Sequence, residues 1–423
     1  MKDLGGKIEI YEKEINNLKV VFIKRAGVFV KFGLLTVKFG SMISNVRVGN
    51  RSFVIPDGTA HFLEHKLFEI NGKDAAELFS KFGADANAFT GRSSMSFYFT
   101  TSTKFFDCLF TLFDLVFTKR EFSKRAVERE KLIIENEILM YEDNPYYLGY
   151  KELINSMFWF NPIKKEVAGT VNSIKEVNPQ VLSFAHNTFI TPKNSTLFIL
   201  GDIYEDELFE KLFKEINSLE MNKDPETYSD LSLIYEEPFY PRIRKVEKEI
   251  RISKDLLFIG FKPKKSKFSI EEIITSNLIL DIIFGPTSEF YDSIYSKMLI
   301  DDSFNYTFDW ERDYGFPIIS GFTSRLNELT DALQEEIKRR LHNGITDYEL
   351  EISKNNAIGE IYMLVDNPTS LIEEISTIYL SGVSSLGQYL AILNSINLTK
   401  ANELITKIFS LDNSVITTIH PAK

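Results

Sequence analysis

Asn194–Ile203 reads NSTLFILGDI, and Asn413–Ala422 reads NSVITTIHPA. Each opens on Asn-Ser and continues as a short run of apolar and β-branched residues, the pattern of a buried strand. They stand 219 residues apart, from position 194 to position 413. The same offset joins Asp85–Thr101 (DANAFTGRSSMSFYFTT) to Phe304–Ser320 (FNYTFDWERDYGFPIIS), each a pair of alternating strands around a turn. Two matches at one offset predict two copies of one fold. Between the copies, residues 217–244 carry Pro225, Pro238 and Pro241 with little helical periodicity, which reads as a linker. The chain is thus expected to divide into residues 1–216, a linker over 217–244, and residues 245–423. Strands and long amphipathic helices follow no regular βαβ alternation. That predicts an α+β fold of two homologous halves, each a mainly antiparallel sheet packed with helices. Helices are expected over Asp74–Phe82, stopped by Gly83; over Ser123–Glu142, capped by Ser123 and ended by Pro145; and over Leu326–His342.

The 423 residues suit two domains, and 44% hydrophobic with 26% charged residues describe a globular chain. A net charge of -11 argues against non-specific nucleic-acid binding, which needs a cationic field. The apolar stretch from Val20 to Leu35 is broken by Lys24, Arg25 and Lys31, too charged to span a bilayer. Neither nucleic acid nor membrane is therefore an expected partner. Cys108 is the single cysteine, so no internal disulfide can form. Among Phe105, Phe106, Leu109 and Phe110 it reads as a buried, inert thiol. Met1–Gly6 lacks the apolar stretch of a secretion signal, and a cytoplasmic protein is expected.

Only five histidines occur, and two fall in His61-Phe62-Leu63-Glu64-His65. Pro56-Asp57-Gly58 makes a turn, after which Asp57 or Thr59 is expected to cap a helix running through Phe68. Residues four apart share a helical face, so both imidazoles reach one ion. Glu64 is placed to hydrogen-bond a water on that ion. Two histidines, a carboxylate and an open water position describe a catalytic rather than a structural zinc site. The helix over Ser123–Glu142 offers the carboxylate: Glu130 and Glu137 are two turns apart and point the same way. Ile133 and Ile134 between them predict a buried stripe, where an unpaired carboxylate is costly and a cation would satisfy it. Alternatively, Glu128, Glu130, Glu135 and Glu137 pair with Lys124, Arg125, Arg129 and Lys131 on a solvated face. Spacing alone leaves both open.

At these residues the chain resembles the pitrilysin/insulinase family of zinc metallopeptidases, the inverzincins with an HxxEH motif. More narrowly it is similar to the short bacterial members, which resemble the subunits of mitochondrial processing peptidase. The resemblance implies that zinc is held by His61, His65 and Glu137, with Glu130 an auxiliary carboxylate and Glu64 the general base. The implied activity is that of a zinc endopeptidase acting on peptides or unfolded segments. Gly83–Thr90 (GADANAFT) looks like the family's active-site edge strand, with Asn87 and Ala88 at the positions that pair with substrate backbone. Without the resemblance it reads as an ordinary inner strand. Only the first half is expected to hold metal, because the offset carries His61 onto Leu280, in Leu278–Phe284, which has no histidine. Family members often carry, in the metal-free half, an arginine and a tyrosine seven apart that bind the substrate carbonyl. Tyr306 fits the tyrosine, but Leu299 stands in the arginine's place and Ser293–Phe308 contains no arginine. The short members form their active chambers from two such chains, so the resemblance implies a dimer. The departure points to a paralogue lacking the zinc motif as the second chain, with a homodimer as the alternative. It also keeps open a non-catalytic assembly or scaffold subunit.

Overall fold

The computed structural model describes residues 2–3, 8–70, 73–219, 227–311 and 313–422. The part of the expected linker at 220–226, with Pro225, lies outside the described residues, as do Met1 and residues 4–6. Two sheets carry the fold. Across the first, the strands are ordered Lys2–Asp3, Ile8–Ile15, Leu18–Lys24, Ser195–Gly201, Lys31–Val37, Met95–Thr101 and Ala84–Thr90. Across the second the order is Lys245–Ile250, Ser414–Pro421, Asp255–Phe261, Tyr314–Thr323 and Asn305–Glu311. Within these two sheets every pairing is antiparallel except two. Ser195–Gly201 runs parallel to Leu18–Lys24, and Ser414–Pro421 runs parallel to Lys245–Ile250. The strands matched by sequence therefore occupy matching places, and each copy ends in an edge hairpin, Ala84–Thr90 with Met95–Thr101 and Asn305–Glu311 with Tyr314–Thr323. The α+β class and the antiparallel character agree with expectation.

The molecule forms two compact units, and neither is a contiguous stretch of chain. The first comprises Met1–Leu139, Lys165–Ile234 and Leu364–Leu380; the second comprises Met140–Lys164, Tyr235–Met363 and Ser381–Lys423. Each unit thus takes in a helix from the other half of the sequence. In the second, the helix Pro145–Met157 packs on Asp255–Phe261 and Ser414–Pro421. It approaches so closely that a Cβ on Gly149 would lie 2.2 Å from the Phe258 ring. In the first, the helix Pro368–Leu380 packs on Ser195–Gly201. There Tyr379 meets Phe198 edge-on at 5.6 Å and donates its hydroxyl to Glu12 at 2.8 Å. Covered in this way, Ser195–Gly201 is buried along its whole length, as its unbroken apolar run requires.

Each unit has its own apolar core, one holding Phe22, Phe62, Phe97, Phe113 and Phe189, the other Phe261, Phe284, Ile319 and Leu404. Cys108 lies in the first, and burial pushes its thiol up to about 11, so it stays protonated and inert. The long acidic helix spans Lys124–Glu142, and Ser123 Oγ accepts from the Ala126 N–H at 3.2 Å, a cap that contributes about 1 kcal/mol. Pro145 does more than end it: with Asn144 as cap it opens the next helix. The helix expected over Asp74–Phe82 contracts to Ala76–Ser80. The expected stripe beneath Glu130 and Glu137 is half right. Ile134 is fully buried while Ile133 is 49% exposed. The two isoleucines flank the glutamates on opposite sides, and the core side runs through Val127, Ile134 and Ile138. Among the described residues no helix is long and apolar enough to cross a membrane.

Candidate metal centre

The motif helix spans Thr59–Leu67 and begins at Gly58, whose φ of 88° lies in the left-handed region. A Cβ on Gly58 would also meet Ala168 O at 2.5 Å, so the turn into the helix demands glycine. The expected side-chain cap does not form. Thr59 Oγ1 donates to Pro56 O at 2.6 Å, and the Asp57 carboxylate is taken by Lys165 at 2.6 Å. Phe62, Leu63 and Leu67 are fully buried and anchor the helix, which leaves His61, Glu64 and His65 on the remaining face. His61 and Glu64 are each only 8% exposed.

Donor atoms of His61, Glu64 and His65 all lie within 4.8 Å of one another. The acidic helix brings Glu137 to the same place. Its Oε1 is 3.5 Å from His61 Nε2 and its Oε2 is 3.6 Å from His65 Nε2. Those distances are long for hydrogen bonds. They are close to the separation of about 3.3 Å between neighbours around a tetrahedral ion with bonds of about 2.0–2.1 Å. Glu130, one side of the same helix, accepts from His65 Nδ1 at 3.0 Å. An ionised carboxylate only accepts, so Nδ1 is the donor in this pair, and the neutral ring offers Nε2 to an ion on the Glu137 side. Such a carboxylate–imidazole pair is the outer support that metal-binding histidines use. His61 Nδ1 is buried and has no hydrogen-bond partner among the described residues. The donor set fits a divalent ion of zinc size.

Lys66, buried beside the motif, binds Glu130 Oε2 at 3.3 Å and also Glu69, which in turn holds Arg129 at 2.6 Å. Burial works against an ionised Glu130, but the hydrogen bond from His65 and the charge of Lys66 outweigh it and hold the carboxyl down to about 2. For His65, burial disfavours the cation, yet the Glu130 hydrogen bond and three nearby carboxylates raise its pKa overall. Glu64 moves the other way from Glu130: burial raises its pKa, with the two imidazoles and Thr90 only partly offsetting it.

Ala84–Thr90 lies at the sheet edge, paired only with Met95–Thr101. Asn87 is exposed, and its Oδ1 accepts from the Ala88 N–H at 2.9 Å. Thr90 Oγ1 donates to Glu64 Oε2 at 3.1 Å, which ties the edge strand to the motif helix. Sequence reasoning overlooked both Thr90 and Lys66. The period of two along the strand puts Thr90 on the face of Ala86 and Ala88, toward the helix, and was a usable signal. Tyr306 belongs to the second unit, where its hydroxyl donates to Asp281 Oδ1 at 3.2 Å. Of the other histidines, His186 Nε2 lies 3.2 Å from Val116 O and His420 Nδ1 lies 2.8 Å from Asp255 Oδ1.

Comparison with known proteins identifies the family. Residues 35–171 match the family described as Insulinase (Peptidase family M16), and residues 176–357 match the peptidase M16 inactive domain. The zinc protease YmfH of Bacillus subtilis, itself uncharacterised, is 30% identical over 421 residues, covering 97% of this chain and 96% of that protein. YmxG of the same organism, also called an uncharacterised zinc protease, is 25% identical over 84% of this chain and 87% of its own length. A protein solved as an M16-like peptidase from Alicyclobacillus acidocaldarius superposes with a TM-score of 0.93 at 26% identity, covering 98% of this chain and 99% of that one. The duplicated sheets, the HxxEH helix and these relatives together make the chain a member of the pitrilysin/insulinase family, peptidase family M16.

Proposed function

We propose that this protein is a zinc endopeptidase that hydrolyses peptides or unfolded segments, with His61, His65 and Glu137 as metal ligands. The observation that carries the reading is the convergence of both Nε2 atoms on the Glu137 carboxylate at 3.5 and 3.6 Å, with Glu64 alongside. A zinc ion held there supplies Lewis-acid polarisation of the scissile carbonyl and activation of water near neutral pH. Glu64 takes the proton from the attacking water and returns it to the leaving amine, a role suited by a carboxyl whose pKa burial has raised. Glu130 keeps the His65 ring in register through its 3.0 Å bond to Nδ1. The free edge of Ala84–Thr90 takes an extended substrate as an added strand, with Asn87 and Ala88 pairing to its backbone. Leu299 stands seven residues before Tyr306, and no arginine lies in Ser293–Phe308. The carbonyl-binding arginine is therefore assigned to a second chain, a paralogue without the zinc motif. A single, buried cysteine suits a reducing compartment, and the reading places the protein in the cytoplasm. The test is metal analysis of purified protein together with cleavage of a quenched-peptide library, with and without chelator. One zinc per chain and chelator-sensitive cleavage are expected. Full zinc with no cleavage, even with the paralogue present, would move the protein to a scaffold role.

A further inference from the structure

We propose that Thr90 is a positioning residue for Glu64, aiming its carboxylate from the strand that receives the substrate. The inference rests on the peptidase reading above. Glu64 leaves the motif helix on a flexible side chain whose last torsion is broad, so the backbone alone does not fix the plane of its carboxylate. One donor fixes it. Thr90 Oγ1 meets Oε2 at 3.1 Å, which leaves Oε1 to face the reacting water. Thr90 is itself well held. It is β-branched and stiff at χ1, and, itself half-buried, it sits in the ladder opposite the fully buried Met95. It also stands two residues after Ala88 on the same edge strand, so a peptide added to that edge and the base that acts on it are held by one short segment. A base held by an outer hydrogen bond stays within the narrow geometry that proton transfer needs.

Thr90→Val keeps the shape and removes the donor, while Thr90→Ser keeps the donor. For Thr90→Val, kcat is expected to fall about 10- to 100-fold with KM changed less than about twofold. Thr90→Ser should stay within about threefold of wild type. Zinc content should remain one per chain in both, because the Thr90 hydroxyl bonds Glu64, which is not one of the proposed ligands. A crystal structure of Thr90→Val should show the Glu64 carboxylate turned from its present orientation. Unchanged kcat, an unmoved Glu64, an effect confined to KM, or a Thr90→Ser variant as impaired as Thr90→Val would each overturn the proposal. If wild type cleaves no peptide even with the paralogue present, the peptidase reading fails instead. The Glu64 orientation in the Thr90→Val crystal would still decide whether Thr90 holds it.

Discussion

The two halves build the same three-element corner and finish it in opposite ways. In the first, the motif helix Thr59–Leu67 is tied to the edge strand by Glu64–Thr90 and to the acidic helix by His65–Glu130. In the second, the helix Ile270–Phe284 is tied to the edge strand Asn305–Glu311 by Asp281–Tyr306, and to the helix Asp347–Leu364 by Ser353, whose hydroxyl donates to Asp281 Oδ2 at 2.8 Å. There one carboxylate accepts both bonds. Burial, with Asp281 beside it, raises the Tyr306 pKa, so the phenol stays a donor. The first corner keeps two imidazole nitrogens facing a carboxylate at distances that suit an ion, plus a buried nitrogen, His61 Nδ1, without a hydrogen-bond partner among the described residues. The difference is one of polar satisfaction. A closed set of hydrogen bonds stabilises, whereas an incomplete set leaves room for a ligand.

That contrast can be broken most severely at Glu137. Glu137→Ala should strip the zinc on dialysis and abolish cleavage; mass-spectrometric metal analysis showing full occupancy would end its assignment as a ligand. Glu64→Gln should cut kcat by about 10²- to 10⁴-fold while zinc stays bound, and loss of metal in this variant would make Glu64 structural. Glu130→Gln should weaken zinc about 10- to 100-fold in a competition titration with a chelator. The same variant sharpens the electrostatics. With its carboxyl lowered from 4.5 to about 2, Glu130 stabilises the metal-free fold above the higher value. It loses that contribution as pH falls toward the lower one. Metal-free wild type should therefore lose stability relative to Glu130→Gln across that window in acid titrations followed by circular dichroism. The smallest effect is expected in the second corner. Tyr306→Phe should cost about 1 kcal/mol in denaturant unfolding. A drop in kcat in the same variant would support the carbonyl-binding role that the family resemblance implies for Tyr306, and unchanged turnover would remove it.

Much of this was legible in the chain because strands reveal themselves by composition and repetition. NSTLFILGDI and NSVITTIHPA share a place in their sheets because both must be covered on two faces. The motif helix was legible from the spacing of His61 and His65, and Ser123 from its capping chemistry. What remained hidden depends on the partner across space. Periodicity says that Pro145–Met157 has an apolar face, not which sheet it will cover. It could not tell the exposed side of Ile133 from the buried side of Ile134, since both border the same glutamates. Lys66 resembled any surface lysine until Glu130 and Glu69 were seen around it, and Asp281 gave no hint that it would tie a tyrosine to a serine.

The exchanged helices carry an evolutionary implication. An ancestral single-repeat chain with this architecture would have had to pair with a twin, each lending its helix to the other's sheet. In one chain that exchange is intramolecular. Because each sheet is covered by a helix from the other half of the sequence, a chain cut between the halves is expected to leave Ser195–Gly201 and Asp255–Phe261 without that cover.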